Sequence, residues 1–413
     1  ISVQSGRVTD TLSLIQTSFH NASGTDLRGE TQQFRAEADS GLYRLRDDQT
    51  PTGGVSEVVT GVDILSSGKL DSKNADYSSS PTANGGWDPA AVSAINGIRK
   101  SLNYFERVHD RRGLTNGGEG SVAVVNVTKN GGSYSNAFFE SGTNFMFFGT
   151  GDGALVKNFA ISIDVAAHEF THGVVNSTSN LEYKFESGAL NESYADFFGV
   201  LIDGDDDWLI GEDLFYGNDF FRSMSNPSLK GDPRHMSEFQ RLPESVDRGG
   251  VHINSGIPNR ALYLLSEGLS DEGLGQSVGR EKAGQIAYQT MTSLPSTATF
   301  EEAAEATVEQ AGLLYGSAEQ QSAGQAFHAV GLSATAEPPV PPKLPTPETT
   351  NVVLATYPSD SFNYLYYQVY DSNFAGFNSS LFFRVNSYSA ALKRPGVATD
   401  VNGNAAGIYF TED

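Results

Sequence analysis

The chain has 413 residues, with 50 acidic and 27 basic side chains and a formal net charge of −23. A field of that sign opposes binding to nucleic acid or to anionic membrane, and no run approaches the roughly 20 apolar residues that a membrane helix needs. Cysteine is absent, which removes disulfides and thiolate metal ligands. The length suits two substantial cores and a smaller unit. The chain opens at Ile1 with neither an initiator methionine nor a signal-peptide pattern, so it reads as a processed mature form.

Residues 1–158 read as β-rich. Short runs such as Gly41–Leu45 and Ser121–Val127 alternate with Gly, Asn, Asp and Ser turns. One helix interrupts them: Asp88-Pro89 is a start signal, and Val92, Ile95, Ile98, Leu102 and Phe105 keep helical spacing over Ala90–Val108. Residues 159–335 read as mostly helical. The predicted helices are Phe159–Val175 and Ala189–Ile202, then runs near Pro258–Leu269, Arg280–Leu294, Phe300–Tyr315 and Glu319–Val330. The first of these is expected at the junction of the two lobes, a common place for a substrate site. Six prolines between Pro338 and Pro347 mark residues 336–348 as an extended linker. Residues 349–413 form a small β-rich extension, with strand-like alternation at Asn351–Tyr357, Tyr364–Tyr370, Leu381–Tyr388 and Gly407–Phe410. That extension shows no catalytic constellation; an inert β fragment and a module for substrate or cell surface are both open readings.

The chemistry is concentrated between Ile163 and Gly199. At its centre stands His168-Glu169-Phe170-Thr171-His172. Residues four apart on a helix share a face, so the two imidazoles can meet at one metal ion, with Glu169 placed as a general base. The same five letters also describe an ordinary amphipathic helix, and context has to decide. A catalytic zinc takes three protein ligands and keeps one position open. Glu192 follows His172 by twenty residues and lies on the next predicted helix, which makes it the candidate third ligand. A metal-bound histidine passes its other N–H to a carboxylate or carbonyl; Asp196 and Asn191 are the candidates. Ser177-Thr178-Ser179-Asn180 supplies the turn that folds the second helix back on the first.

HEFTHGVV followed by GALNESYADFFG resembles the thermolysin family of secreted zinc endopeptidases. Upstream, Asn136-Ala137-Phe138-Phe139 is similar to the family's substrate-binding N-A-F-W segment and is followed by Gly149-Thr150-Gly151-Asp152-Gly153. Downstream stand Gly211-Glu212-Asp213, Arg222-Ser223-Met224-Ser225 and Gly249-Gly250-Val251-His252-Ile253-Asn254-Ser255-Gly256. Order and approximate spacing fit the family over residues 1 to 335. The resemblance implies an α+β, two-lobe thermolysin-like fold with the zinc helix between a β-rich and a mainly helical lobe. It implies one catalytic Zn2+ on His168, His172 and Glu192, with Glu169 as general base. Tyr183 and His252 would face the charge developing on the carbonyl oxygen, and Asp247 would orient His252. It further implies polypeptide substrates, a secretory signal and an inhibitory pro-segment already removed, extracellular location and a monomer.

The same resemblance assigns Asn136 and the backbone of Ala137 to an edge that binds extended peptide, next to Phe139 in place of the usual tryptophan. Arg222 is the candidate donor to a substrate carbonyl, or else a structural ion-pair partner. Val156, Phe159, Val165, Ile210, Leu214 and Phe221 would line the pocket behind the scissile bond. All six are apolar, so cleavage is expected on the N-terminal side of bulky hydrophobic residues. The chain inserts about two residues after Phe139 and is shorter between Asp213 and Arg222 than the family pattern, which bears on specificity and not on the reaction. Asp164, Asp203, Asp207 and Glu212 match a calcium cluster. Leu209 stands where some relatives carry a carboxylate and could offer only its carbonyl, which argues for one structural Ca2+. A solvated acidic loop is the plainer reading of Asp203–Asp207. The function of another class is a catalytically idle zinc-binding adhesion or substrate-binding protein on the same fold. Against it, every position of the implied machinery carries a competent residue.

Overall fold

The structure, a computed structural model, describes residues 18–49, 51, 53–268 and 277–332 in full. It also describes the strands Val3–Gln4, Arg7–Val8, Asn351–Pro358, Asn363–Tyr370, Leu381–Val385, Pro395–Thr399 and Ala405–Phe410 as backbone. Two compact units divide the chain, Ile1–Ala336 and Glu337–Asp413. The proline-rich segment predicted as a linker lies outside the described residues. In the smaller unit, Asn351–Pro358, Asn363–Tyr370 and Leu381–Val385 form an antiparallel three-stranded sheet, and Pro395–Thr399 pairs with Ala405–Phe410. Pro395–Thr399 was not expected as a strand, because it opens on Pro-Gly, a turn signal.

The first half of the larger unit is built on two sheets. Strands β1 (Ser18–Thr25), β2 (Thr31–Asp39) and β3 (Leu42–Arg44) run antiparallel, with Ser79–Ser80 completing the sheet. The second sheet contains β4 (Ser56–Thr60), β5 (Val122–Lys129), β6 (Ala137–Glu140) and β7 (Phe145–Gly149). β5 lies between β4 and β7 and is parallel to both, while β6 pairs antiparallel with β7 and ends the sheet. A central strand flanked on both sides reads as a nearly continuous apolar run, and Ala123, Val124, Val125 and Val127 are all buried. Ala123 and Val125 join the main core, whereas Val124 and Val127 meet Val62, Ile64 and Phe147 in a smaller one. Between them the register shifts at Asn126, whose φ is +56°, a bulge that lets one strand serve both cores.

Helix α1 (Pro89–His109) packs its apolar stripe, from Ala91 and Val92 to Leu102 and Phe105, into the main core. Asp88 caps it by accepting from Ala90 N at 2.9 Å, and Pro89 occupies the first turn, where its missing N–H is not needed. The second oxygen of Asp88 accepts from Asn126 at 2.5 Å, and Asn126 accepts from Asn158 at 2.8 Å. The cap therefore ties the helix to the bulge and to the segment that leads into the next helix.

That next helix begins later than predicted. Phe159–Ile161 is a separate 3-10 turn, Ser162 is extended at φ −89° and ψ 123°, and α2 runs from Ile163 to Asn176. Ser162 hydrogen-bonds the Asp164 carboxylate, a local alternative to continuing the helix. Helix α3 (Phe185–Asp203) starts four residues before the predicted Ala189. The polar Glu186-Ser187-Gly188 hides that first turn from apolar periodicity. There follow α4 (Asp247–Asn254), missed because it opens on Asp-Arg-Gly-Gly, and α5 (Gly256–Glu267), α6 (Arg280–Ser293), α7 (Phe300–Tyr315) and α8 (Ser317–Ala329). Among the described residues no helix is long and apolar enough to cross a membrane.

Helix α2 lies between α1 and α3, held close by two glycines. A Cβ at Gly97 of α1 would stand 2.6 Å from the Ala166 methyl, and one at Gly199 of α3 would stand 2.9 Å from the Asp164 carbonyl oxygen. Its C-terminal end is closed by a buried cation. Arg111, 4% exposed, donates to the Leu114 carbonyl, to Ser177 Oγ at 2.7 Å and to Tyr288 OH at 3.3 Å. A positive charge there also complements the helix dipole. Replacing Arg111 with Met should lower stability by about 2 kcal/mol, because buried acceptors lose their donor. Urea unfolding of the full chain checks this; an unchanged midpoint would contradict it.

Candidate active site

Helix α2 carries His168 and His172 one turn apart, and their Nε2 atoms face each other at 3.0 Å. The rings stand nearly perpendicular, 4.6 Å between centroids at 89°. Helix α3 brings Glu192 under them. Its two oxygens lie 3.5 Å from His168 Nε2 and 3.5 Å from His172 Nε2. The far side of each imidazole is held as well. His168 Nδ1 lies 2.9 Å from Asp196 Oδ1, and His172 Nδ1 lies 2.7 Å from Asn191 Oδ1. An amide oxygen accepts only, so His172 Nδ1 carries the proton and its Nε2 is a bare acceptor.

The helix period explains why two ligands come from α2. Glu192 and Asp196 likewise sit four apart on α3, so one turn of each helix supplies two of these groups. Asp196 is fully buried and well paired. Arg222 donates to it through Nε at 2.7 Å and Nη2 at 2.6 Å, and Asn259 donates at 2.9 Å. Burial would push the Asp196 carboxyl up, but Arg222 and His168 hold it well below the usual carboxylate range. Glu192 is also held low against its burial, by His252, His172 and His168.

The histidines split. Burial opposes charge on His168, yet Asp196 and Glu192 raise it to about 10; burial and the neighbouring His168 lower His172 to about 4. Buried Glu192 Oε2 has no hydrogen-bond partner. Two imidazole nitrogens and a carboxylate converging on one point fit a divalent cation that accepts N and O donors.

Around this group stand the remaining predicted residues. Glu169 is buried, its carboxyl pushed up to about 7 by burial, and its Oε2 has no partner. Tyr183 donates its hydroxyl to Glu192 and lies 3.2 Å from His252 Nε2. Asp247 accepts from the His252 backbone N–H at 2.9 Å and contacts Nδ1 at 2.5 Å. Asn136 precedes the edge strand β6, bonding Tyr134 OH at 3.1 Å. Ala137 pairs with Phe148 on β7. Phe139 packs over Gly173, the residue after His172.

Of the expected pocket residues, Phe159, Val165, Ile210 and Leu214 are buried and Val156 is partly covered, while Phe221 is 36% exposed. The Phe159 and Phe221 rings stack at 5.9 Å, so part of the apolar wall is a face of paired rings. Arg222, expected to serve substrate or an ion pair, gives two of its nitrogens to Asp196.

The acidic cluster differs from the predicted set. Two groups of carboxylates converge, Asp203 with Glu212 and Asp213, and Asp205 with Asp207 and Glu212. Asp205 and Asp213 were missed, although the run Asp203–Asp207 was visible. Asp164 stands beside these groups, not within them. Its oxygens accept from Ser162, Val165 N and Gly211 N. Leu209 lies in a two-residue strand against Ser223. Burial and mutual repulsion raise Asp164 to about 7 and Glu212 to about 8. Arg28 supplies part of the missing positive charge through Asp213 and, at 4.0 Å, Asp203. Glu212 Oε2 is buried without a partner, so these oxygens fit a hard cation. The sequence carries no signal for Asn259, which donates to Asp196.

Residues 21–176 match the family model described as thermolysin metallopeptidase, catalytic domain. Residues 179–332 match that of its alpha-helical domain. Bacillolysin of Bacillus amyloliquefaciens is 34% identical over 343 residues, covering 80% of this chain and 61% of its own length. An extracellular elastase of Staphylococcus epidermidis is 34% identical over 339 residues, 80% of this chain and 62% of its own. The chain thus spans about three fifths of these relatives. Neutral protease NprE of Bacillus pumilus is 36% identical over 313 residues, 75% of this chain and 98% of its own. The solved precursor of protealysin, a metalloproteinase from Serratia proteamaculans, is similar with 33% identity and a TM-score of 0.53, over 67% of this chain and 88% of its own. The chain belongs to the thermolysin family of metallopeptidases.

Proposed function

We propose that this chain is a secreted zinc-dependent endopeptidase that hydrolyses peptide bonds on the N-terminal side of bulky hydrophobic residues. The observation that carries this reading is the convergence of His168 Nε2, His172 Nε2 and the Glu192 carboxylate, bordered by Glu169, Tyr183 and His252. Zinc held there supplies a Lewis acid and makes water a better nucleophile at neutral pH.

The protein's own groups do the rest. Asp196 and Asn191 fix the ligand imidazoles by their Nδ1 atoms. Glu169, with a carboxyl near neutrality, takes the proton of the attacking water and returns it to the departing nitrogen. Tyr183 OH and His252 Nε2 lie side by side and direct hydrogen bonds at the oxygen where negative charge develops. Asp247 keeps the His252 ring aimed. Asn136 and the Ala137 backbone, at the free side of edge strand β6, hold an extended substrate by main-chain hydrogen bonds. Arg222, already braced on Asp196, is the donor to a substrate carbonyl. Val156, Phe159, Val165, Ile210, Leu214 and Phe221 form the apolar pocket.

We read residues 1–158 and 159–335 as the two lobes of the peptidase, 336–348 as a linker and 349–413 as an extension without catalytic part. One structural Ca2+ is assigned to the acidic cluster around Glu212, the partners are polypeptide substrates and the chain's own pro-segment, and the working form is a monomer.

Digestion of an unstructured protein, mapped by mass spectrometry, should give cuts before Leu, Phe and Val that stop with 1,10-phenanthroline and return with zinc. Stoichiometric zinc without any cleavage would leave the idle binding protein as the better reading. Glu169→Gln should lower kcat by at least about a hundredfold while zinc stays bound; retained turnover would remove Glu169 as the base. Selective calcium removal should lower the melting temperature, since a ligand that binds only the folded state stabilises it. An unchanged melting temperature would reject the calcium site.

A further inference from the structure

Phe185 adopts φ +49°. A bulky L-residue rarely does so, because its Cβ crowds its own backbone. Glycine or asparagine would hold the same turn with less strain. The side chain does not compensate by deep burial, for it is 44% exposed. Strain of this kind persists only where the surroundings hold it, and it gathers at functional sites.

The surroundings are the segment that carries His252. Asp247, Arg248, Gly249 and Gly250 have φ of +48°, +52°, +90° and +86°, one complete left-handed turn at the head of α4. Gly249 N and Gly250 N both donate to Val246 O, at 2.9 and 3.2 Å. The Phe185 ring lies directly on Gly249: a Cβ there would overlap two of its carbons, at 2.3 and 2.7 Å. A second contact lies one turn along α3, where a Cβ on Gly188 would stand 2.5 Å from Val251 Cγ1. Phe185 and Gly188 thus grip the residues on either side of Gly250, two positions before His252. The same short segment carries Tyr183, whose hydroxyl is 3.2 Å from His252 Nε2.

From this geometry we infer that Phe185 is a positioning residue. Its ring clamps the left-handed turn so that His252 stays within hydrogen-bonding distance of Tyr183. The clamp couples the two groups that face the developing charge. The inference rests on the proposed roles of Tyr183 and His252.

The test compares the full chain with Phe185→Gly, Phe185→Asn, Phe185→Tyr and His252→Phe, measuring zinc content, melting temperature, kcat and KM on one peptide. Relief of the strained φ offsets the lost ring contact in Phe185→Gly and Phe185→Asn, so their melting temperatures should stay within about 2 °C of wild type. Their kcat should fall roughly tenfold, since small misplacements near the reacting atoms are costly. KM should hold within about twofold. Phe185→Tyr should restore kcat. Wild-type kcat in both Phe185→Gly and Phe185→Asn would overturn the inference, and so would a loss of kcat that tracks a loss of melting temperature. Should His252→Phe keep its kcat, the assigned role of His252 fails and the clamp with it. Should His252→Phe lose activity while Phe185→Gly does not, the clamp alone fails.

Discussion

Three donor atoms that would repel one another as neutral and anionic groups are held together inside the core. His168, Glu169, Glu192 and Asp196 are all at most 7% exposed, in surroundings where unpaired polar groups are expensive. The rest of the site follows from making that crowding tolerable. Each imidazole has a polar partner at its far nitrogen, Asp196 is gripped by Arg222 and Asn259, and the two Nε2 atoms and the Glu192 carboxylate are left facing one point. A packed apolar core would be more stable in the same volume; this arrangement keeps a cation-binding point instead, which is a functional and not a structural preference.

The rigidity of that point comes from close helix packing. Gly97 and Gly199 bring α1 and α3 against the two faces of α2, and Arg111 closes its C-terminal end. Helices this close, with little space for side chains to shift, hold their ligand atoms within narrow limits. Glycine serves here by what it lacks, since a Cβ at Gly97 would push α1 away from α2 and one at Gly199 would push α3 away from it.

Two other parts of the larger unit carry visible tension. The acidic cluster gathers Asp203, Asp205, Asp207, Glu212 and Asp213 with Asp164 beside them, and burial with mutual repulsion raises Asp164 and Glu212 well above ordinary carboxyls. Arg28 relieves it in part. The left-handed turn from Asp247 to Gly250 stores backbone strain directly before His252. In both places the local preference of the chain is overruled by contacts with distant residues.

What the sequence determined by itself is local. His168 and His172 are four apart, and so are Glu192 and Asp196, and a helix converts that spacing into a shared face without help from the rest of the fold. Helix α1 was readable for the same reason, from Asp88-Pro89 and one apolar stripe, and α7 was expected over the Phe300–Tyr315 range that it occupies. The break at Ser162, the early start of α3 and the whole of α4 were not readable. Each depends on a polar or glycine-rich turn, whose residues break the apolar periodicity by which a helix is read. Only the tertiary structure decided that Arg222 and Asn259 brace Asp196 across 26 and 63 positions. Only it brought Asp203 and Asp205 to Glu212, and seated Phe185 on Gly249. Periodicity records which face a residue occupies, but it carries no information about which distant segment that face will meet.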